Sequence, residues 1–151
     1  MHIIHGNDPY SSELVSVSRD IRINSCGVSV NQERERPWTG LQIRRPQGRR
    51  DYQLIYVWTG QATYRVDGAD RLLGPGSLVC YKPGEPQFYT YHADIPAECS
   101  WIHFTGSQAE ALLRRSGLWD RQAYHVGALA EINQLIEKIL REIQRRPLQY
   151  E

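Results

Sequence analysis

Aromatic side chains crowd the stretch after the Gly/Pro turn in 74-GPGSLVCYKPGEPQFYTYH-92, and one arginine precedes an earlier turn. The residues of interest are Phe88, Tyr89, Tyr91, Trp101 and Arg45. A sugar offers a C–H face that an indole or phenol ring can cover, and hydroxyls that a guanidinium fork can bind at two points. These residue types fit a carbohydrate pocket on two strands that we expect to be neighbours in a meander. The competing interpretation is that most of the rings are core or cross-strand packing.

Metal binding is poorly supported by the histidine pattern. The spacing from Gly76 to Pro83-Gly84 resembles the second motif of the cupin barrels, but metal-dependent cupins place a histidine after that turn, where this chain has Gln87 and Phe88. A catalytic metal usually needs three nitrogen or oxygen ligands on one site. The five histidines are scattered along the chain: His2, His5, His92, His103 and His125. The sequence therefore predicts no metal and no other cofactor.

Motifs for nucleophilic catalysis or phosphate binding are also missing, since the chain has no GxSxG, P-loop or GxGxxG pattern. Cys80 lies in the middle of 77-SLVCY-81, which favours a buried apolar role for its thiol. The prediction is a protein that is not an enzyme. The alternative is a metal-free cupin enzyme acting on a sugar, such as an isomerase or epimerase, which would need a positioned base. A His103 that points into the barrel would favour that alternative.

Length and charge limit the classes of protein to consider. The chain has 151 residues and a formal net charge of +1, which predicts one domain and no general attraction to nucleic acid or an anionic membrane. Three cysteines without metal-type spacing predict free thiols in a reducing compartment. With no signal peptide and no apolar run of bilayer length, we expect a cytoplasmic, soluble protein.

The elements that must position these residues are mainly strands. From Ile21 to Phe104 the chain is a series of short runs rich in Val, Ile, Tyr and Trp, separated by regularly placed glycines, which predicts a sandwich or small barrel. The run 52-YQLIYVWTG-60 is apolar on both faces and is predicted to be covered on both sides. Asp67-Gly68 predicts a tight hairpin between 62-ATYRV-66 and 71-RLL-73.

Helical patterns follow the strands. Ser107 and Glu110 have the spacing of a capping box, and Gly117 is a stop signal, so we predict a short helix from about 108 to 116. A second, amphipathic helix is predicted over 131–146, with its apolar face on the barrel, on a partner helix, or on both. Its apolar positions are Ile132, Leu135, Ile136, Ile139, Leu140 and Ile143. The expected fold class is mainly β (α+β), a cupin-like jelly-roll barrel followed by C-terminal helices.

Several segments together resemble the N-terminal sensing and dimerisation domain of AraC-type transcriptional regulators. They are 45-RPQG-48, 60-GQATYRVDG-68, 74-GPGSLVCYKPGEPQFYTYH-92 and 101-WIHF-104, in that order and followed by helices. The resemblance implies a ligand sensor with a jelly-roll barrel, in which the turn and rings form one wall of an effector pocket. It also implies a sugar effector, for which L-arabinose or a related sugar is the first expectation.

The resemblance assigns ligand contacts one residue at a time. It places an arm proline at Pro9, a hydroxyl at Ser29, the arginine at Arg45, a tyrosine at Tyr89 and the stacking tryptophan at Trp101. Where the family usually has a histidine two residues before that tryptophan, this chain has Cys99. A thiol is a weak donor and acceptor, so at least one hydroxyl contact is expected to change.

The same resemblance implies three regions. Residues 1–20 would be an N-terminal arm that closes over the ligand as a lid, residues 21–106 the effector-binding barrel, and residues 107–151 a truncated helical dimerisation region. The six apolar positions of the second helix would form the interface of a homodimer in the intact protein. DNA would be bound only through a C-terminal helix-turn-helix domain that this chain lacks, and no membrane partner is expected. A stand-alone dimeric scaffold with a filled barrel is the remaining alternative.

Overall fold

The computed structural model describes residues 2–7, 20–30 and 40–145, with backbone only for 2–7, Val30 and Gln144. These residues form two antiparallel sheets and two helices. The larger sheet has the order β1-β2-β9-β4-β7-β10. Its strands are β1 (His2–Asn7), β2 (Arg22–Val30), β4 (Tyr52–Thr59), β7 (Ser77–Tyr81), β9 (Glu98–Thr105) and β10 (Ala123–His125).

The smaller sheet has the order β3-β8-β5-β6. It contains β3 (Leu41–Arg45), β5 (Ala62–Val66), β6 (Ala69–Leu73) and β8 (Gln87–Tyr91). One buried cluster includes residues of both sheets, among them Ile55, Val79, Tyr64 and Tyr89, so the two sheets enclose a common interior. The predicted fold class is confirmed: the structure is a cupin-like jelly-roll barrel followed by helices.

Strand β4 is covered on both sides, as its sequence predicts. Ile55 and Val57 point into the barrel and are 1% and 0% exposed. On the opposite face, Tyr52 and Leu54 pack in a second cluster beside the first helix. The alternation of β4 therefore defines an inner face and an outer face of the barrel.

The hairpin between β5 and β6 is also confirmed. Its turn residues Asp67 and Gly68 have φ angles of 50° and 79°, and Val66 pairs with Ala69 across the turn. Two consecutive left-handed residues match the right-handed twist of the flanking strands, which explains the choice of Asp-Gly.

Two local predictions differ from the structure. Helix α1 spans Ala109–Arg115 close to the predicted range, but its N-cap is Gln108, which makes no side-chain capping hydrogen bond. The Gln108 N–H donates instead to the Asp20 carbonyl, and Glu110 pairs with Arg114 at 2.8 Å. The predicted capping box is wrong, because the long-range hydrogen bond from Gln108 to Asp20 fixes the start of this helix.

The sequence predicts only an arm for residues 1–20 and no strand within it, and this differs from the structure of residues 2–7. They form β1, which pairs antiparallel with β2 from His2↔Val30 to Asn7↔Ser25. Backbone pairing to an edge strand requires no apolar pattern, so the polar composition of this segment gave no signal of it.

Helix α2 spans Ala130–Arg145 and lies against β1, β2 and β9 on the outside of the barrel. Ile136 and Leu140 are buried there with Cys26. Partly buried residues around this cluster are Val28, Ile102, Ile132, Ile139 and Ile143. Of the six apolar positions predicted on this helix, Leu135 alone is exposed, at 57%. The predicted amphipathic helix is confirmed, with its apolar face on the barrel of its own chain.

Candidate functional site

Strand β9 carries one wall of the barrel interior. Cys99 and Trp101 both belong to or pack on the interior cluster, and alternation places His103 on the same face. Their partners on β2 are Ser29, Gly27 and Ser25, in that order. Directly opposite residues in an antiparallel pair share a face, so small side chains lie beside Trp101. On this side Gly27 therefore places no side chain against the Trp101 indole.

An arginine-centred network forms the facing wall. Arg45 ends β3 opposite Gln87 of β8. Its Nη1 donates to Gln87 Oε1 at 3.0 Å and to the Tyr89 hydroxyl oxygen at 3.2 Å. Gln87 and Tyr89 can also act as hydrogen-bond donors, because Arg45 contacts only their oxygen atoms. Arg45 therefore orients Gln87 and Tyr89 so that an amide N–H and a phenolic O–H remain for another partner.

His103 completes the polar end of the interior. Its Nδ1 lies 2.6 Å from Ser25 Oγ, while its Nε2 has no hydrogen-bond partner among the described residues. Burial lowers the pKa of His103 to about 4, with the positive charges of Arg49 and Arg45 adding to the effect against the opposing influence of Asp51. The imidazole is therefore neutral at pH 7 and available as a hydrogen-bonding group.

The ion pair beside His103 joins Arg49 and Asp51. Arg49 contacts Asp51 through two hydrogen bonds of 2.6 and 3.1 Å, and Asn24 donates to the same carboxylate at 3.2 Å. Burial would raise the pKa of Asp51, but the bonds from Arg49 and Asn24 outweigh it and lower that pKa. The Asp51 carboxylate is therefore ionised, and it holds Arg49 and Asn24 together at the end of the barrel.

Tyrosine rings fill much of the interior between the two walls. Tyr64 and Tyr89 stack at 5.4 Å, and Tyr81 and Tyr89 stack at 6.4 Å. Burial raises the pKa of Tyr64, Tyr81 and Tyr91, so these phenols stay neutral. The cluster gives the barrel an aromatic lining with hydroxyls but without negative charge.

Five of the six predicted ligand contacts lie in the described residues. Arg45 and Tyr89 are brought into direct contact. Ser29 and Cys99 also meet, because the Cys99 N–H donates to Ser29 Oγ at 3.4 Å. Trp101 is partly buried on the same interior cluster. Pro9 lies outside the described residues.

Cys99 occupies the position where the resemblance found in the sequence implies a histidine. It is 0% exposed, and its sulfur lies 3.7 Å from the Tyr64 hydroxyl. Burial raises its pKa to about 11, so the thiol is neutral. All three cysteines, Cys26, Cys80 and Cys99, are free and buried, which confirms the free thiols and the buried place of Cys80.

The expected arrangement of the rings was partly wrong. Tyr89 and Trp101 lie on strands of different sheets rather than on neighbouring strands of a meander. The chain crosses between sheets after Tyr91, so the two rings face a shared interior. Phe88 points outward, where Arg44 and Arg65 lie over its ring at 5.6 and 5.5 Å. A jelly roll alternates between sheets, and no local pattern marks such a crossing.

Sequence reasoning also missed functional candidates. Gln53 and Gln87 are 3% and 0% exposed, and Gln53 Oε1 and Gln87 Nε2 have no hydrogen-bond partner in the described part of the chain. A glutamine at an inward position of a predicted strand was the only available signal. Within the same residues, no group of three or more His, Cys, Asp or Glu side chains is placed to hold a metal ion.

An interior that combines aromatic walls with a few inward-facing polar groups has the composition of a small-molecule site. The chain belongs to the AraC-like ligand binding domain family, whose model matches residues 38–150. It is thus an effector-binding regulatory domain. Neither described helix has the length and apolar content that crossing a membrane requires.

Similarity to one solved structure agrees with this fold. The chain is similar to ToxT from Vibrio cholerae, solved bound to (E)-4-(8-methylnaphthalen-1-yl)but-3-enoic acid, with 10% identity and a TM-score of 0.50 over 88% of this chain and 51% of ToxT. It is also similar to a Cupin_2 domain of an XRE family transcriptional regulator from Enterobacter cloacae, at 12% identity and TM-score 0.43 over 68% of this chain and 96% of that one.

A third similar structure is YhaK from Escherichia coli, at 14% identity and TM-score 0.43 over 62% of this chain and 40% of YhaK. No curated protein sequence matches the chain. The chain covers about half the length of ToxT and 40% of the length of YhaK. At these identities the similarity to ToxT bears on the fold alone.

Proposed function

We propose that this domain binds a monosaccharide, L-arabinose or a related sugar, inside the barrel. The observation that carries the proposal is the Arg45 network, in which one guanidinium orients Gln87 and Tyr89 toward the interior that also holds Trp101. Arg45 supplies the donor fork for sugar hydroxyls, and Tyr89 adds a hydroxyl of its own. Ser29 and Cys99 line the same wall as Trp101, with Cys99 in place of a stronger hydrogen-bonding side chain.

Trp101 provides the apolar half of the site. Its ladder partner Gly27 has no side chain, so nothing from that position covers the indole. The C–H face of a pyranose ring can stack there and bury apolar area against the indole. Aromatic stacking and a polar fork together distinguish a sugar from a purely apolar ligand.

The N-terminal arm is proposed to act as a lid, with Pro9 touching the ligand. Support comes from the residues on either side of it. Asn7 pairs with Ser25, and the Asp20 carbonyl accepts the Gln108 N–H, so both lie at the polar end of the barrel. A ligand that binds the closed arm more tightly than the open arm would shift the population toward closure.

The proposed output is regulation of DNA binding in a longer, dimeric protein. The arm, barrel and helical regions would correspond to residues 1–20, 21–106 and 107–151, and the helix-turn-helix domain would follow. The dimer interface would use the helix that carries Ile132, Leu135, Ile136, Ile139, Leu140 and Ile143. Because most of these residues pack on the barrel, Leu135 is the one placed to contact a partner directly.

The enzyme alternative depends on His103. It does point into the barrel interior, which was the feature expected of a catalytic base. However, a general base works best with a pKa near the operating pH, and the pKa of His103 is lowered to about 4. No carboxylate in the described interior is free either, because Asp51 is bound by Arg49. Hydrogen bonding to a ligand suits this histidine better than proton abstraction.

Calorimetric titration of the purified chain with L-arabinose, D-galactose, D-fucose, D-xylose and L-rhamnose tests the proposal. We expect saturable binding of at least one sugar. Its affinity should fall at least tenfold in Arg45→Leu, since a charged hydrogen bond contributes about 1.5–3 kcal/mol. Arg44→Leu is the matched control, because Arg44 is exposed on the outer face. Binding of the arylbutenoic acid seen in ToxT, with no response to any sugar, would contradict the proposal.

A further inference from the structure

Three buried polar atoms at the polar end of the barrel interior have no hydrogen-bond partner among the described residues: Gln53 Oε1, Gln87 Nε2 and His103 Nε2. Their residues are 3%, 0% and 7% exposed. Buried polar groups are nearly always hydrogen-bonded in folded proteins, so each such exception calls for a partner such as a water molecule or a ligand.

These atoms belong to neighbouring positions. Gln53 of β4 lies directly opposite His103 of β9 in the larger sheet. Gln87 reaches the interior from the smaller sheet, where its oxygen is held by Arg45. The three side chains therefore line one end of the barrel from both sheets, next to the network already described.

Their hydrogen-bonding roles are largely fixed. Because Arg45 occupies Gln87 Oε1, the free atom of Gln87 is a donor, whereas the free oxygen of Gln53 is an acceptor. A hydroxyl group can accept from one and donate to the other through a single oxygen. A carboxylate has no proton for Gln53, and an ammonium has no acceptor for Gln87 and would meet the charges of Arg45 and Arg49.

We propose that Gln53, Gln87 and His103 form a hydroxyl-binding subsite that determines ligand specificity. The inference rests on the proposed sugar binding. His103 follows Trp101 by two residues on the same face, a displacement of about 7 Å along the strand. When a sugar ring stacks on Trp101, the group that reaches the subsite is one that projects beyond the edge of the sugar ring. An exocyclic hydroxymethyl group fits this description, so the preferred ligand is a neutral hexose.

A set of sugars that differ at one carbon tests this subsite. D-Galactose, D-fucose and D-galacturonate share one ring and carry CH2OH, CH3 and COO⁻ at the exocyclic position, and L-arabinose carries only hydrogen there. Calorimetric titration of the wild-type chain is expected to show D-galactose binding about tenfold more tightly than each of the other three. Equal binding of D-galactose and D-fucose would overturn the subsite, and leave its polar atoms to structural water.

Gln53→Leu should remove the preference by weakening D-galactose about tenfold while leaving D-fucose unchanged. Gln42→Leu is the matched control, because Gln42 is exposed on the outer face of β3. Retention of the full preference in Gln53→Leu would overturn the assignment of Gln53. If wild type binds L-arabinose or D-fucose but shows no preference for D-galactose, the subsite alone fails. If wild type binds no sugar, the proposed function fails with it.

Discussion

Charge balance at single residues determines what the barrel interior can bind. The carboxylate of Asp51 is paired with Arg49, the imidazole of His103 is neutral, and burial raises the pKa of Tyr64 and of Cys99, so both stay neutral. Arg45 pairs with no carboxylate within the described ranges, and its contacts are the neutral oxygens of Gln87 and Tyr89. Such an interior offers fixed neutral donors and acceptors to a ligand and has little capacity for acid–base catalysis.

His103 should make stability depend on pH. Its pKa is lowered from its ordinary 6.5 to about 4 in the folded protein. Between pH 4 and 6.5 the unfolded chain therefore binds more protons than the folded chain. The contribution of His103 to the free energy of unfolding is fully present above pH 6.5 and is lost as the pH falls through 4. The full contribution is about 3 kcal/mol. Urea unfolding at pH 7, 5.5 and 4 should show this loss, and a smaller loss in His103→Gln.

The matched variant for this experiment is His125→Gln, because His125 is exposed. It should follow the wild-type pH profile. If His103→Gln and wild type lose the same free energy of unfolding between pH 7 and 4, His103 is not the group responsible, and its burial as a neutral imidazole would be contradicted.

At the residue scale, sequence reasoning selected residues that belong to recognisable motifs. Arg45 and Tyr89 were assigned through their positions beside Pro/Gly turns, and the structure joins them by a hydrogen bond. Gln53, Gln87 and His103 were not predicted as ligand contacts, because what distinguishes them is a buried polar atom without a partner among the described residues. That property depends on which strands face each other, which no single stretch of sequence encodes.

At the scale of elements, helix α2 is held to the barrel by a few apolar residues. Ile136 and Leu140 are 6% and 5% exposed, whereas Leu135 is 57% exposed. Ile136→Ala should lower the free energy of unfolding by about 2–4 kcal/mol through lost burial and a cavity. Leu135→Ala on the same helix should change it by less than about 0.5 kcal/mol. Chemical denaturation of both variants measures the difference.

A large loss in Leu135→Ala that depends on protein concentration would show that Leu135 is buried between two copies of the chain. Equal effects of the two substitutions at low concentration would contradict the packing of α2 on the barrel.

Two glycines with similar backbone angles should respond differently to alanine. Gly60 and Gly68 have φ angles of 65° and 79°. An added Cβ at Gly60 would collide with the Pro96 backbone carbonyl, whereas one at Gly68 meets nothing within 4 Å. Gly68→Ala should therefore cost about 1 kcal/mol from backbone strain alone, and Gly60→Ala clearly more. Thermal unfolding of the two variants tests this ranking, and equal melting temperatures would contradict it.

Elements with strong local signals were predictable from sequence. The Asp67-Gly68 hairpin and helix α2 each carry a pattern that decides their structure within a few residues. Strand β1 and the start of α1 were missed, because each depends on backbone hydrogen bonds to distant residues, to β2 and to Asp20.

At the scale of the whole molecule, the jelly-roll topology creates the site. Strands β8 and β9 are consecutive in the chain but belong to different sheets, so Tyr89 and Trp101 line one interior from opposite walls. The fold class followed from the count and spacing of strands. The assignment of strands to sheets did not, because the crossing after Tyr91 has no local signal.

Tryptophan fluorescence during titration with L-arabinose, D-galactose and D-fucose tests sugar binding in the barrel most directly. We expect a saturable change in wild type that disappears in Trp101→Leu, because the sugar ring stacks on that indole. Trp58→Leu should retain the change, since Trp58 donates to Ser100 on the outer face of the barrel. A saturable change that survives Trp101→Leu would contradict stacking in the barrel, and no change with any of the three sugars would contradict sugar binding at this site.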